Sequence, residues 1–270
     1  MIETSLFDLT GRMAVVSGAA SGMGRAMAMA LADHGADVAV VDRDEPGLHR
    51  TAEEIGRGGR RAIPLRCDVS DIGQVRGLFE RLDREAGRID FLANVAGEGV
   101  LARPEDITVE QVKEVLQNLV VGRFVMCQEA GRRMIRAGRG SIVNIGSLAS
   151  VTALGRGHIA YSMAMGAVAQ MTRELSTEWA ALGVRVNAIL PAQVWNKGLE
   201  QRAIENPAMK DIWLRGIPAG RFGRPDDIRG LAVFLASDAS SWVTGALIPF
   251  DGGNLALNGG GSVRPPRNPA

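Results

Sequence analysis

Residues 17–24 read Ser17-Gly18-Ala19-Ala20-Ser21-Gly22-Met23-Gly24, directly after the apolar run Ala14-Val15-Val16 and directly before a long apolar stretch that continues to His34. A strand that feeds a glycine-rich turn and then a helix has a specific physical use. Gly18 allows the tight turn, Gly22 removes a side chain where a pyrophosphate must come close, and Gly24 lets the helix pack against the sheet. The helix N-terminus then presents unpaired N–H groups and a partial positive charge to the phosphates. A glycine pattern alone is weak, because any strand–helix turn can carry one. Here Asp42 ends the next β-branched run, Val38-Ala39-Val40-Val41, where a carboxylate can accept both ribose hydroxyls of a dinucleotide. That carboxylate repels a 2′-phosphate, so the turn reads as an NAD site, with NADP second. Arg43 is the competing signal, since a guanidinium there could meet a phosphate.

Working outward, short β-branched runs alternate with longer amphipathic ones. Strands are predicted at Met13–Ser17, Asp37–Asp42, Ala62–Cys67, Phe91–Asn94, Ser141–Ile145, Arg185–Leu190 and Leu247–Phe250, with helices such as Met23–His34, Ile72–Ala86 and Val109–Ala137 between them. Alternation of this kind implies an α/β fold: a single-domain, Rossmann-type, doubly wound parallel sheet of about seven strands with helices on both faces, because parallel neighbours need long crossovers. Strands apolar on both faces agree with a sheet covered on both sides. The domain is expected to span residues 1–258, with 259–270, rich in Gly, Pro and Arg, as a flexible tail.

The 270 residues include 46% hydrophobic and 23% charged side chains at a net charge of +1, so neither a nucleic-acid nor a membrane-surface partner is indicated. No apolar run reaches bilayer length and the N-terminus lacks a signal-peptide pattern, so a cytoplasmic location is expected. Cys67 and Cys127 are far apart in sequence and read as reduced core residues rather than a disulfide or metal site.

Further segments carry a family resemblance from about residue 8 to residue 253. They are Gly18-x-x-x-Gly22-x-Gly24, Cys67-Asp68-Val69, Asn94-Val95-Ala96-Gly97, Ser147 followed by Tyr161, Arg185-Val186-Asn187-Ala188-Ile189-Leu190-Pro191-Ala192, Gly220-Arg221-Phe222-Gly223-Arg224-Pro225 and Asp251-Gly252-Gly253. Together they resemble the short-chain dehydrogenase/reductase family. The resemblance implies an NAD(H)-dependent oxidoreductase acting on a small-molecule alcohol or carbonyl, assembled as a homotetramer or homodimer. It implies Tyr161 as proton carrier and Ser147 as partner of the substrate oxygen, with Ser150 as a substitute for that serine. It also implies cofactor contacts from Gly18, Ser21, Gly22, Met23, Gly24, Asp42, Arg43, Asp68, Val69, Asn94, Ala96, Gly97, Tyr161, Met165, Pro191 and Val194, and no metal.

One departure stands out. In that family a lysine four residues after the tyrosine lowers the phenol pKa and anchors the nicotinamide ribose; here the position is Met165, an uncharged thioether. Aligning Gly122 and Phe124 with the family's fourth helix puts Leu119 where an Asn of the proton relay belongs. Asn118 lies one place earlier, about 100° away around the helix unless a π-bulge shifts the register. The proton relay is therefore expected to be altered. Two other readings stay open: a redox-neutral lyase or isomerase that retains NAD, and a weakly active cofactor-binding subunit. His158 and Glu98 are candidate acids or bases, Arg156 a candidate anion contact, and Trp195 and Trp213 candidate lid residues, each against a plain structural role.

Overall fold

The computed structural model describes residues 4–97, 99–155 and 157–257. The 259–270 tail, Glu98 and Arg156 lie outside the described residues.

Strands β1 (Met13–Ser17), β2 (Asp37–Asp42), β3 (Ala62–Arg66), β4 (Phe91–Asn94), β5 (Gly140–Ile145), β6 (Val184–Pro191) and β7 (Leu247–Phe250) form one sheet in the order β3-β2-β1-β4-β5-β6-β7. Every pairing is parallel. β1, β2, β4 and β7 coincide with the sequence prediction, and β3, β5 and β6 differ from it by one residue at one or both ends. The order reverses direction between β1 and β4, and a crevice opens there at the carboxyl ends of the strands.

The alternation within each strand explains the layers. Ala14 and Val16 of β1 and Val38 and Val40 of β2 join one core with Met27 and Leu31 of α1 (Gly22–Asp33), Leu48 and Ile55 of α2 (Glu45–Arg57) and Leu235 of a later helix, Arg229–Ala236. Met13 and Val15 of β1 and Ala39 and Val41 of β2 face the opposite way. They meet Phe79 and Leu82 of α3 (Ile72–Glu85). Both faces of the central strands are thus buried, as the apolar runs require.

The long helix predicted for Val109–Ala137 is three pieces. They are α4 (Val109–Leu116), a π-helical segment Gln117–Gly122, and α5 (Arg123–Ala137). A π turn holds one residue more than an α turn, so it absorbs a single inserted residue without breaking the helix. The segment lies hard against the end of β3: a Cβ on Gly122 would collide with the Val69 carbonyl oxygen, and the Gln117 side-chain amide donates to the Ser70 carbonyl at 2.9 Å. Next comes α6 (Ile159–Trp179), followed after β6 by α7 (Lys197–Glu205) and α8 (Pro207–Arg215). No helix among the described residues is long and apolar enough to cross a membrane.

Candidate active site

The loops that leave β1, β2, β3, β4, β5 and β6 all open onto one cleft of about 940 Å³. At one end lies the glycine turn. Gly18 takes φ +70°, and a Cβ there would come within 3.0 Å of the Ala96 amide nitrogen, so the loops after β1 and β4 touch across the switch point. A Cβ on Gly24 would run into the Gly18 carbonyl oxygen. Ser21 occupies the N-cap position of α1, yet its side chain makes no capping hydrogen bond, unlike those of Asp44 on α2 and Asp71 on α3. The first N–H groups of α1 therefore remain available to an anion.

Asp42 lies at the rim, where its carboxylate accepts from the Ala20 amide at 3.1 Å and from the Asp44 amide at 3.1 Å. Those bonds fix the carboxylate beside the glycine turn. Asp68 accepts from the Ser70 amide and hydroxyl at 2.9 and 2.7 Å. The Ser70 bonds hold its carboxyl below the usual range, and the positive charge of Arg43 adds to the effect. Arg43 thus stands among Asp42, Asp44 and Asp68 on the same wall. A turn with close-approach glycines, a helix end without a side-chain cap and a fixed carboxylate together suit a dinucleotide.

At the other end, Ser147, Tyr161, Pro191, Val194 and Trp213 line the cleft. Ser147 is 7% exposed, and its hydroxyl oxygen accepts from the Ala149 amide at 3.2 Å, leaving its proton to donate outward. Ser150 does not line the cleft; its hydroxyl oxygen accepts from the Ser147 amide at 3.3 Å. Tyr161 packs against Gly99, where a Cβ would lie 2.8 Å from the ring. His158 also faces the cleft, its ring 6.1 Å from that of Tyr161 and nearly perpendicular to it. Trp213 is buried on the cleft wall, whereas Trp195 packs on Phe222 at 5.3 Å and is not a lining residue.

Of the sixteen residues expected to hold the cofactor, Gly18, Ser21, Met23, Gly24, Asp42, Arg43, Asp68, Val69, Ala96, Gly97, Tyr161, Pro191 and Val194 line the cleft. The remaining three do not line it. Gly22 lies off the wall, at φ +55°, and shapes the turn rather than facing the cleft. Asn94 points into the sheet, donating to Asn144 at 3.0 Å and to the Cys127 sulfur at 3.2 Å. Met165 is 1% exposed and packs with Leu119, Ala149, Ala160 and Val168 in a satellite core behind the cleft.

Around Leu119 the helix takes the π register that the sequence reading left open. The π segment sets Asn118 and Leu119 together at the cleft, and Asn118 Oδ1 lies 3.2 Å from where a Cβ of Gly97 would be. That oxygen is buried without a hydrogen-bond partner among the described residues.

The residue missed altogether is Arg123. It lines the cleft floor at 3% exposure, donating from Nη1 to the Ile145 carbonyl and from Nη2 to the Ala96 carbonyl, the latter at 3.2 Å. A signal existed. Arg123 precedes Cys127, Ala130 and Met134 on one helical face, an apolar stripe in which a guanidinium is out of place. Both cysteines are free and buried, as expected, and burial pushes each thiol up to about 12.

Comparison with known proteins places this architecture. A family model described as enoyl-(acyl carrier protein) reductase matches residues 18–254. D-threitol dehydrogenase of Mycolicibacterium smegmatis is 41% identical over 92% of this chain and 94% of its own length. NAD-dependent glycerol dehydrogenase of Listeria innocua is 37% identical over 92% and 95%. Among solved structures, a gluconate 5-dehydrogenase from Beutenbergia cavernae, described as NAD(P)-dependent and carrying NADP at low occupancy, superposes with a TM-score of 0.88. It is 38% identical, over 93% of this chain and 99% of that one. The chain belongs to the short-chain dehydrogenase/reductase family. Both of the relatives named above are dehydrogenases, and the chain is an oxidoreductase.

Proposed function

We propose that this oxidoreductase uses NAD(H) to interconvert an alcohol and a carbonyl in a small polyhydroxylated substrate, with Tyr161 and Ser147 at the reacting oxygen. The observation that carries this reading is the convergence of Ser147, Tyr161 and Pro191 on the cleft that begins at the glycine turn. When bound, the nicotinamide supplies the acceptor for a hydride from the carbinol carbon. Ser147 donates its proton to the substrate oxygen and fixes it. Tyr161 takes the hydroxyl proton in the oxidative direction and returns it in the reductive one, a role worth about 10²- to 10⁴-fold. The lid helices α7 and α8, with Leu199 and Trp213 on the cleft, exclude water from that end.

Asp42 supports NAD over NADP, because its fixed carboxylate opposes a 2′-phosphate. The NADP in the Beutenbergia structure argues the other way, so the choice is testable. The names of the relatives point to polyols and sugar acids as first substrates. The uncharged Met165 supports a proton relay that differs from the family's usual one. Exposed apolar side chains on α5 and α6, Phe124 and Met163, support a homodimer or homotetramer, which sedimentation would measure.

The test is reduction of NAD⁺ and of NADP⁺ with threitol, glycerol and gluconate, and the reverse with ketones, over about pH 6 to 10. NAD-linked turnover lost by about 10²-fold or more in Tyr161→Phe supports the proposal. Replacing Asp42 by Ala should relax the preference toward NADP by about tenfold or more. No change in cofactor absorbance with any substrate rejects the reading. Substrate conversion without net NADH would identify a redox-neutral enzyme instead.

A further inference from the structure

A dinucleotide laid along this cleft has its pyrophosphate at the glycine turn and its nicotinamide ring at the end lined by Ser147 and Tyr161. Arg123 stands between those two places. Its Nη2 donates to the Ala96 carbonyl at 3.2 Å, and the amide nitrogen of Ala96 lies 3.0 Å from the position of a Cβ on Gly18. Its Nη1 donates to the carbonyl of Ile145, two residues before Ser147. The Cα atoms of residues 145 and 147 are separated by two peptide links, at most about 7 Å. The guanidinium thus spans from the loop that touches the glycine turn to the strand end that leads into Ser147.

Three guanidinium groups line the cleft, those of Arg43, Arg123 and Arg202. Arg43 and Arg202 are exposed, where water and ions screen them, and Arg43 has carboxylates beside it on the same wall. Arg123 differs on both counts. It is 3% exposed, its hydrogen bonds go to two neutral carbonyls, and its Nε is buried without a partner. No carboxylate among the described residues pairs with it. Burial lowers its pKa to about 10, which still leaves it a cation at neutral pH. A charge that is neither screened nor compensated acts on another charge across several ångströms of protein.

We infer that the buried charge of Arg123 sets the balance between the two oxidation states of the bound cofactor, so that the cleft holds NADH more tightly than NAD⁺. The nicotinamide ring is positive in NAD⁺ and neutral in NADH, because the hydride it accepts cancels its charge. Arg123 opposes the positive ring and leaves the neutral one alone. It therefore favours hydride transfer from the carbinol carbon to the ring, and it favours release of NAD⁺ after transfer the other way. This assignment rests on the dinucleotide reading of the cleft. It gives Arg123 no contact with the reacting atoms: its influence is the field of a fixed charge on the floor.

The test is binding, without turnover. Calorimetric titration gives Kd for NAD⁺, for NADH and for ADP-ribose, which has the pyrophosphate and both riboses but no ring. In the wild-type protein NADH should bind about tenfold or more tighter than NAD⁺. In Arg123→Gln, checked for folding by circular dichroism, that gap should close by about tenfold, through tighter NAD⁺ relative to ADP-ribose, and Arg123→Lys should keep it open. An unchanged gap in folded Arg123→Gln overturns the inference. An equal loss of affinity for all three ligands also overturns it, as the mark of a purely structural arginine, and leaves the cofactor reading standing. Should the variant not fold, the wild-type gap decides. Equal affinities for NAD⁺ and NADH overturn the inference, as does a gap that vanishes in about 0.5 M salt, since exposed charges would then be its source. Binding of none of the three ligands rejects the cofactor reading and this inference together.

Discussion

Gly24 shows how a single hydrogen atom in place of a methyl group carries a site. A Cβ at this position collides with the Gly18 carbonyl oxygen, so Gly24→Ala must push α1 away from the turn. Overpacking of this kind costs about 1–3 kcal/mol, and it displaces the helix end on which phosphates would rest. The variant should melt several degrees lower and bind NADH at least about tenfold more weakly, as thermal unfolding and fluorescence titration would show. Positions that follow from local backbone demands were legible in the sequence, namely the glycines of the turn and Asp42 at a strand end, while the placing of Ser147 and Tyr161 on one cleft was expected from the family resemblance. Residues whose role follows from direction were not. Asn94 and Met165 sit where the motif puts them, yet their side chains point into the sheet and into a satellite core. Arg123 stands in no motif, and only the structure shows the two backbone carbonyls it finds.

Among the elements, the helix running from Val109 to Ala137 carries the main surprise. Amphipathic periodicity shows its existence and its ends, but a one-residue insertion is invisible to periodicity, because either flank can be taken as the one in register. The π segment settles this by leaving Asn118 on the cleft and starting α5 at Arg123. Its N-terminal anchor is a capping box in which Thr108 Oγ1 accepts from the Gln111 amide at 3.1 Å and the Gln111 side chain accepts from the Thr108 amide at 3.0 Å. Thr108→Ala should lower stability by about 1 kcal/mol in denaturant unfolding. Since neither residue lines the cleft, cofactor affinity should stay unchanged; a parallel loss would mean that fraying of α4 reaches the π segment.

For the molecule as a whole, seven strands were placed from apolar runs, and the parallel doubly wound class followed from their alternation with helices. The strand order and the reversal between β1 and β4 came from the structure alone, since no local signal encodes which strand pairs with which. Asp90, at the foot of β4, helps to tie that reversal together. It is 7% exposed, and its carboxylate accepts from the Met13 amide at 2.9 Å and pairs with Arg88 and Arg139. Burial raises its pKa, but the bonds from Arg88, Met13 and Arg139 outweigh that effect and leave it lowered. A carboxyl depressed in the folded state adds stability above its unfolded pKa of about 3.9, and that stability is lost as pH falls through the lower folded value. Asp90→Asn should therefore cost about 2 kcal/mol at neutral pH, and the gap to the wild-type protein should shrink below about pH 4. Acid titration of unfolding midpoints would measure it.

The parallel arrangement has one more consequence. Because each strand runs the same way, the turns that lead back from helix to strand, such as the exposed ones at Gly59 and Gly87, gather at the end of the sheet opposite the chemistry. That end is a natural socket for grafts: a fluorescent tag, an affinity peptide or a tether to a surface could be spliced in there while the working end keeps its shape.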